Sequence, residues 1–157
     1  MDQTKIERYW QAYLATLPDD AAERRQGYVA EQLGDHPDLA NQLGSLIVAG
    51  IKTATCSALW EWQAESQPLA EVGLKTIVLD GTNEPLCIIE TTEVTIRRYD
   101  EVDAAFAAEE GEGDRSLEYW RTAHWNFFSR TLPRIGKQAM LDMPLVCERF
   151  RVVYSGN

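Results

Sequence analysis

Lys75-Thr76-Ile77-Val78-Leu79-Asp80-Gly81-Thr82-Asn83-Glu84-Pro85-Leu86-Cys87-Ile88-Ile89-Glu90 is the stretch that decides the fold class. Thr76–Leu79 is a β-branched and aliphatic run, and Asp80–Asn83 is a cluster of turn formers. Pro85–Glu90 is a second apolar run. Two such runs around a loop of four or five residues predict an antiparallel hairpin. From Thr91 to Arg98 the Thr/Val/Ile alternation continues, so the second strand is long or bent. Pro144–Tyr154 predicts the last strand. Its period of two sets Val146, Glu148, Phe150 and Val152 on one side and Cys147, Arg149 and Val153 on the other.

Outward from these strands the period changes to that of a helix. Ile6, Tyr9, Trp10, Tyr13, Leu14 and Leu17 recur at three- and four-residue steps and predict an amphipathic helix ended by Pro18. Asp19 or Asp20 can cap a second short segment reaching toward Tyr28 and Leu33. After the turn Gly34-Asp35-His36-Pro37, a third helix runs from Asp38 through Leu43 and Ile47, with Gly50 in the position just past its end. Residues 1–50 are therefore expected to be helical and 51–157 to carry the strands. A helical insert at about 102–131 is broken by Gly111-Glu112-Gly113-Asp114. Strands and helices segregated in this way predict one α+β domain over 1–157.

Composition narrows the function. The 157 residues carry a formal net charge of −10, which argues against coating nucleic acid by bulk charge but leaves a local basic pocket possible. Cys56, Cys87 and Cys147 form no CxxC pair, so zinc-ribbon and thioredoxin readings lack support, and three free thiols are expected. The polar start Met1-Asp2-Gln3-Thr4 lacks the basic-then-apolar pattern of a signal peptide, and no apolar run is long enough to span a bilayer. A cytoplasmic protein with no obligate protein partner is expected.

Two segments concentrate chemistry. In Gly50-Ile51-Lys52-Thr53-Ala54-Thr55-Cys56-Ser57, hydroxyls crowd around one lysine just past a helix end. Thr53, Thr55 and Ser57 alternate in an extended chain, so their hydroxyls share a face opposite Lys52. The order and spacing exclude a Walker loop. Glu109-Glu110-Gly111-Glu112-Gly113-Asp114-Arg115 places four carboxylates in six residues. Mutual repulsion there can raise one pKa for acid–base work, and the oxygens can hold a divalent cation, magnesium or manganese. The ligand order of a calcium loop is absent. His124, one turn after Trp120 and one before Phe128, reads as a packed core residue. Trp60, Tyr99 and Trp125 are candidates for stacking a base.

Taken together, Tyr9-Trp10, Leu33-Gly34-Asp35, the Gly50–Thr55 segment, Glu90–Val94, the acidic-glycine block with Trp120-Arg121 and His124, and Val146-Cys147-Glu148-Arg149-Phe150 resemble the ASCH family of the PUA-like superfamily. That resemblance implies a small β-barrel with N-terminal and inserted helices packed around a cleft, and an RNA or nucleotide ligand in it. Characterised relatives divide into metal-assisted ribonucleases, amidohydrolases of N4-acylated cytidine that use a lysine, a threonine and a glutamate, and RNA-binding modules. The lysine and threonine map onto Lys52 and Thr55, and the glutamate onto Glu110, with Glu109 one register away. Thr53, Ser57, Trp60, Tyr99, Trp125 and Arg149 complete the expected substrate-binding set. Thr55 can attack a carbonyl if Lys52 is desolvated and partly neutral and takes its proton. The leading expectation is an RNA hydrolase helped by a divalent metal, ahead of the amidohydrolase and the binding module.

Overall fold

The computed structural model describes residues 2–156, so Met1 of the polar start lies outside the described residues. Among the described residues five strands and five α-helices follow in the order α1 (Gln3–Leu14), β1 (Val29–Gln32), α2 (Pro37–Val48), β2 (Ala54–Ala58), α3 (Leu59–Ala64), β3 (Lys75–Leu79), β4 (Pro85–Arg98), α4 (Ala104–Glu110), α5 (Leu117–Thr131) and β5 (Pro144–Tyr154). Along the sheet the order is β1-β3-β4-β5-β2. The chain folds as two compact units, and β4 and β5 each run through both.

The first unit holds the chain up to Gly50, Gly73–Glu90 and the chain from Arg151 on. The predicted hairpin is here: β3 pairs antiparallel with β4, with a register irregularity at Val78/Leu79. Asp80 Oδ1 accepts from the backbone N–H groups of Thr82 and Glu84, which closes the turn. α1 buries Ile6, Trp10, Tyr13 and Leu14 against Ile77, Leu79 and Ile88. The segment expected to continue as helix after Asp19 is different. A single short 3₁₀ turn spans Ala22–Arg25, and Val29–Gln32 is a strand running parallel to β3. Pairing with the buried β3 outweighs the weak local helical signal. Gly50 follows α2 at φ +77, the left-handed conformation expected just past a helix end.

The second unit holds Ile51–Val72 and Thr91–Phe150. β2 pairs antiparallel with β5 in the register Ala54↔Arg149, Thr55↔Glu148, Cys56↔Cys147. Directly paired residues share a face. Ala54, Ala58, Leu145 and Cys147 belong to a core built with Tyr99, Phe106, Trp120, Phe128 and Leu132, and Cys56 packs against it. α4 is capped by Asp103, whose side chain accepts from the Phe106 N–H, and α5 by Ser116, which accepts from the Tyr119 N–H.

Candidate functional site

The site grows from the end of α4. Gly111 terminates that helix at φ +74, and a Cβ there would stand 2.6 Å from the Ile51 carbonyl oxygen. A glycine therefore permits both the left-handed turn and the close approach of the Ile51 backbone. The approach is fixed by Thr53, whose N–H donates to the Glu109 carbonyl at 2.7 Å. The two sequence motifs are thus held together by backbone contacts, and Lys52 lies against the last residue of α4.

Lys52 and Glu110 are each only 1% exposed, and Nζ donates to Glu110 Oε1 at 2.8 Å. The same ammonium reaches Glu112 Oε2 at 3.3 Å and the Glu110 carbonyl at 3.4 Å. Lys52 thereby caps the C-terminal end of α4. The other carboxylate oxygen, Glu110 Oε2, accepts from Trp120 Nε1 at 2.7 Å and faces His124 Nε2 at 3.3 Å. His124 stacks on the Trp120 ring with centroids 4.2 Å apart, and its Nδ1 lies 2.9 Å from the Trp120 carbonyl oxygen. A carbonyl can only accept, so Nδ1 carries a proton. The sulfur of Cys56 lies within 4.8 Å of both the Glu110 and the His124 donor atoms. Side-chain exposures of 16% for Glu112 and 12% for His124 make these two the members that meet solvent.

Burying these charges is costly unless they neutralise one another. Burial by itself would lower the Lys52 pKa, but the Glu110 and Glu112 carboxylates outweigh it and hold the ammonium above its ordinary value. Burial would raise Glu110, and Lys52 and His124 hold it well below the usual carboxylate range. For His124, burial opposes the imidazolium, and Glu110 and then Glu112 raise it. Burial, reinforced by Glu110, pushes the Cys56 thiol far up. The two carboxylates thus favour the charged form of Lys52, whereas attack by Thr55 would call for a partly neutral lysine.

The remaining expected residues are dispersed through the same unit. Thr55 pairs with Glu148 and so lies on the face of β2 away from Cys56 and Glu110, as the alternation predicted. Ser57 accepts a hydrogen bond from Trp62 Nε1 at 2.8 Å. The Thr53 side chain is exposed, and Oγ1 reaches the Glu109 carbonyl at 3.4 Å. Arg149 is clamped between Glu109 and Glu93. Trp60 packs against the core, with the Lys137 ammonium 5.6 Å from its ring centroid. Tyr99 is buried and donates to the Arg121 carbonyl, and with Trp125, Arg121, Thr122 and Asn126 it lines a shallow depression on α5.

Sequence reasoning passed over His124, Trp120 and Cys56 as core residues. The available signal was the helical step from Trp120 to His124 beside an acidic block, which puts an indole N–H and an imidazole on one face. Of the carboxylates expected to hold magnesium or manganese, Glu109 pairs with Arg149, Glu110 and Glu112 pair with Lys52, and Asp114 accepts from the Ser116 N–H.

The ASCH domain family model matches residues 30–154. The chain belongs to the ASCH family. A crystal structure of an ASCH domain from Lactobacillus crispatus JV V101 is similar at 35% identity and a TM-score of 0.92, covering 97% of this chain and 96% of that one. A protein from Enterococcus faecalis V583 is similar at 37% identity and a TM-score of 0.87, with 98% and 91% covered. No curated protein matches the chain. The α+β class and the ASCH fold expected from the sequence are therefore those of the molecule. Among the described residues, no helix is long and apolar enough to cross a membrane.

Proposed function

We propose that this ASCH protein binds single-stranded RNA and hydrolyses it by acid–base chemistry at the Lys52–Glu110–His124 cluster. One observation carries the reading. Both ring nitrogens of His124 face acceptors, the Trp120 carbonyl and the Glu110 carboxylate, so the ring is built to hold two protons at the solvent-facing edge of a buried ion network. Such a ring is a positioned general acid. In RNA cleavage it protonates the departing 5′-oxygen. Glu112, the other partly exposed member, takes the proton of the ribose 2′-hydroxyl, whose oxygen forms the new bond to phosphorus. The P–O5′ bond breaks, and a 2′,3′-cyclic phosphate is left. Lys52 helps to keep Glu110 charged and supplies positive potential beneath the phosphate.

The amidohydrolase reading draws support from the direct Lys52–Glu110 contact. It draws none from Thr55, which lies on the other face of β2. The test pairs two assays on the purified protein. Single-stranded RNA oligonucleotides are incubated with and without a chelator, and N4-acetylcytidine hydrolysis is followed in parallel. Cleavage to cyclic phosphate ends that persists in chelator is expected. Intact RNA beside rapid deacylation would replace this reading with the amidohydrolase, and binding without turnover of either substrate would leave a binding module.

A further inference from the structure

Cys56, Glu110 and His124 offer a sulfur, a carboxylate oxygen and an imidazole nitrogen whose donor atoms all lie within 4.8 Å of one another. We propose that this trio is a binding site for a borderline divalent metal of the zinc class. The inference concerns the same cluster as the proposed hydrolysis, but it does not depend on that reading.

Four features of the geometry converge. The donor set is mixed sulfur, nitrogen and oxygen, which suits zinc and disfavours magnesium. His124 is preset as a ligand: its Nδ1–H is tied to the Trp120 carbonyl at 2.9 Å, so the tautomer that remains on losing one proton presents the Nε2 lone pair to the trio. Metal-bound histidines are commonly oriented by this kind of carbonyl bond on the other nitrogen. The Nε2–Oε2 separation of 3.3 Å is long for a charge-assisted hydrogen bond. It matches the roughly 3.3 Å edge between two ligands held about 2.0 Å from a tetrahedral ion. Finally, Glu110 can serve without giving up Lys52, which sits on Oε1; the metal would share Oε2 with the Trp120 N–H, one lone pair each.

The exchange balances. The ion displaces one proton from the Cys56 thiol and one from the His124 imidazolium, and both leave to solvent. A dication replaces two protons, so the buried cluster keeps its net charge and Lys52 meets no added repulsion. No redox step is involved. His124 reaches the surface, which gives the ion a way in. Because the metal occupies the place of the His124 proton, the metal-bound form lacks the general acid of the proposed hydrolysis, and zinc should inhibit it.

The test titrates the intact protein, without RNA, with cobalt(II) and then zinc(II). We expect one equivalent of cobalt to bind, with a thiolate-to-cobalt absorption band and the visible bands of a tetrahedral ion, and zinc to bleach both. Cys56→Ser should lose the thiolate band. His124→Gln should weaken binding at least ~10-fold, as expected where even an outer partner of a metal costs 10–100-fold. Cys87→Ala, in the other unit, should bind as the parent does. Thermal unfolding keeps the variants honest: each must unfold cooperatively before its titration counts, and zinc should raise the midpoint of the parent and not of Cys56→Ser. Absence of the thiolate band in the parent, or its retention in Cys56→Ser, would overturn the site. Binding with no change in RNA cleavage would leave the metal site standing and remove the hydrolysis reading.

Discussion

Two lysine–glutamate pairs, one in each unit, have the same 2.8 Å separation and different surroundings. Lys75 meets Glu90 in the first unit, where Glu90 is 21% exposed and is shared with Arg151. Lys75 also donates to the Gly73 carbonyl and to Gln26. The network so tethers segments of the chain, and no imidazole or thiol joins it in these contacts. Lys52 meets Glu110 in the second unit with both at 1% exposure, and Glu110 is shared with an indole, an imidazole and a nearby thiol. An ion pair of this length is therefore not by itself a functional signal. The titratable group added to it, at a point that reaches solvent, is what makes it a candidate for chemistry.

The comparison breaks most directly by removing each lysine. Lys52→Met leaves Glu110 charged and buried, and should cost about 3–5 kcal/mol of stability, the usual price of stripping one partner from a buried pair. Lys75→Met leaves Glu90 with Arg151 and with water, and should cost roughly 1–2 kcal/mol, between the buried and surface cases. Chemical denaturation of both variants reads the difference, and equal losses would mean that the two networks are alike. Substituting Glu110→Leu into Lys52→Met should recover only part of the loss, because the Trp120 N–H and His124 are then left without their acceptor.

A second contrast concerns two glycines at helix ends, both with positive φ. A Cβ at Gly111 would meet the Ile51 carbonyl oxygen at 2.6 Å, whereas at Gly50 nothing lies within 4 Å. Gly111→Ala should therefore cost at least ~2 kcal/mol, from the left-handed conformation plus the clash, and should disturb the Lys52–Glu110 contact. Gly50→Ala should cost only the conformational part, about 1 kcal/mol. Thermal unfolding of the pair checks this.

The structural network should show its own pH signature. The Lys75 hydrogen bond, aided by Arg151 and opposed by burial, holds Glu90 below its ordinary 4.5. A depressed carboxyl contributes stability above its unfolded value and loses it as pH falls toward the folded one. Stability should thus decline below about pH 4.5, and Glu90→Gln should flatten that limb. An unchanged acid limb in the variant would remove Glu90 from the account. The smallest effect concerns the thiols, which are all free. Burial pushes Cys87 and Cys147 up to about 12, so at pH 8 the native protein should react slowly with a thiol reagent, and the unfolded protein should show all three at once.

Much of the fold was legible because its signals are local. The continuous apolar runs Thr76–Leu79 and Pro85–Ile89 mark strands that are largely buried along their length, Pro144–Tyr154 marks the last strand, and the acidic-glycine block marks the break between α4 and α5. β1 escaped because Val29–Gln32 is four residues long and is a strand only by virtue of pairing with β3. At the site, Lys52 and Glu110 were legible from the motifs that carry them. His124 was not, since its role depends on facing a carboxylate fourteen residues earlier in the chain, around a turn whose direction no periodicity reveals. The surroundings of Lys52 were hidden for a related reason: burial alone would lower a lysine's pKa, and the sequence does not show that two carboxylates come with it.

On the proposed hydrolysis, the second unit's network moves protons in catalysis and the first unit's only ties chain segments together. The most direct measurement compares the rate of single-stranded RNA cleavage by the parent, His124→Gln and Lys75→Met, each at a temperature where unfolding curves show it fully folded. The account predicts a loss of at least ~10²-fold for His124→Gln, the usual scale for a general acid, and a parental rate for Lys75→Met. Parental cleavage by His124→Gln, or no cleavage by the parent, would contradict it.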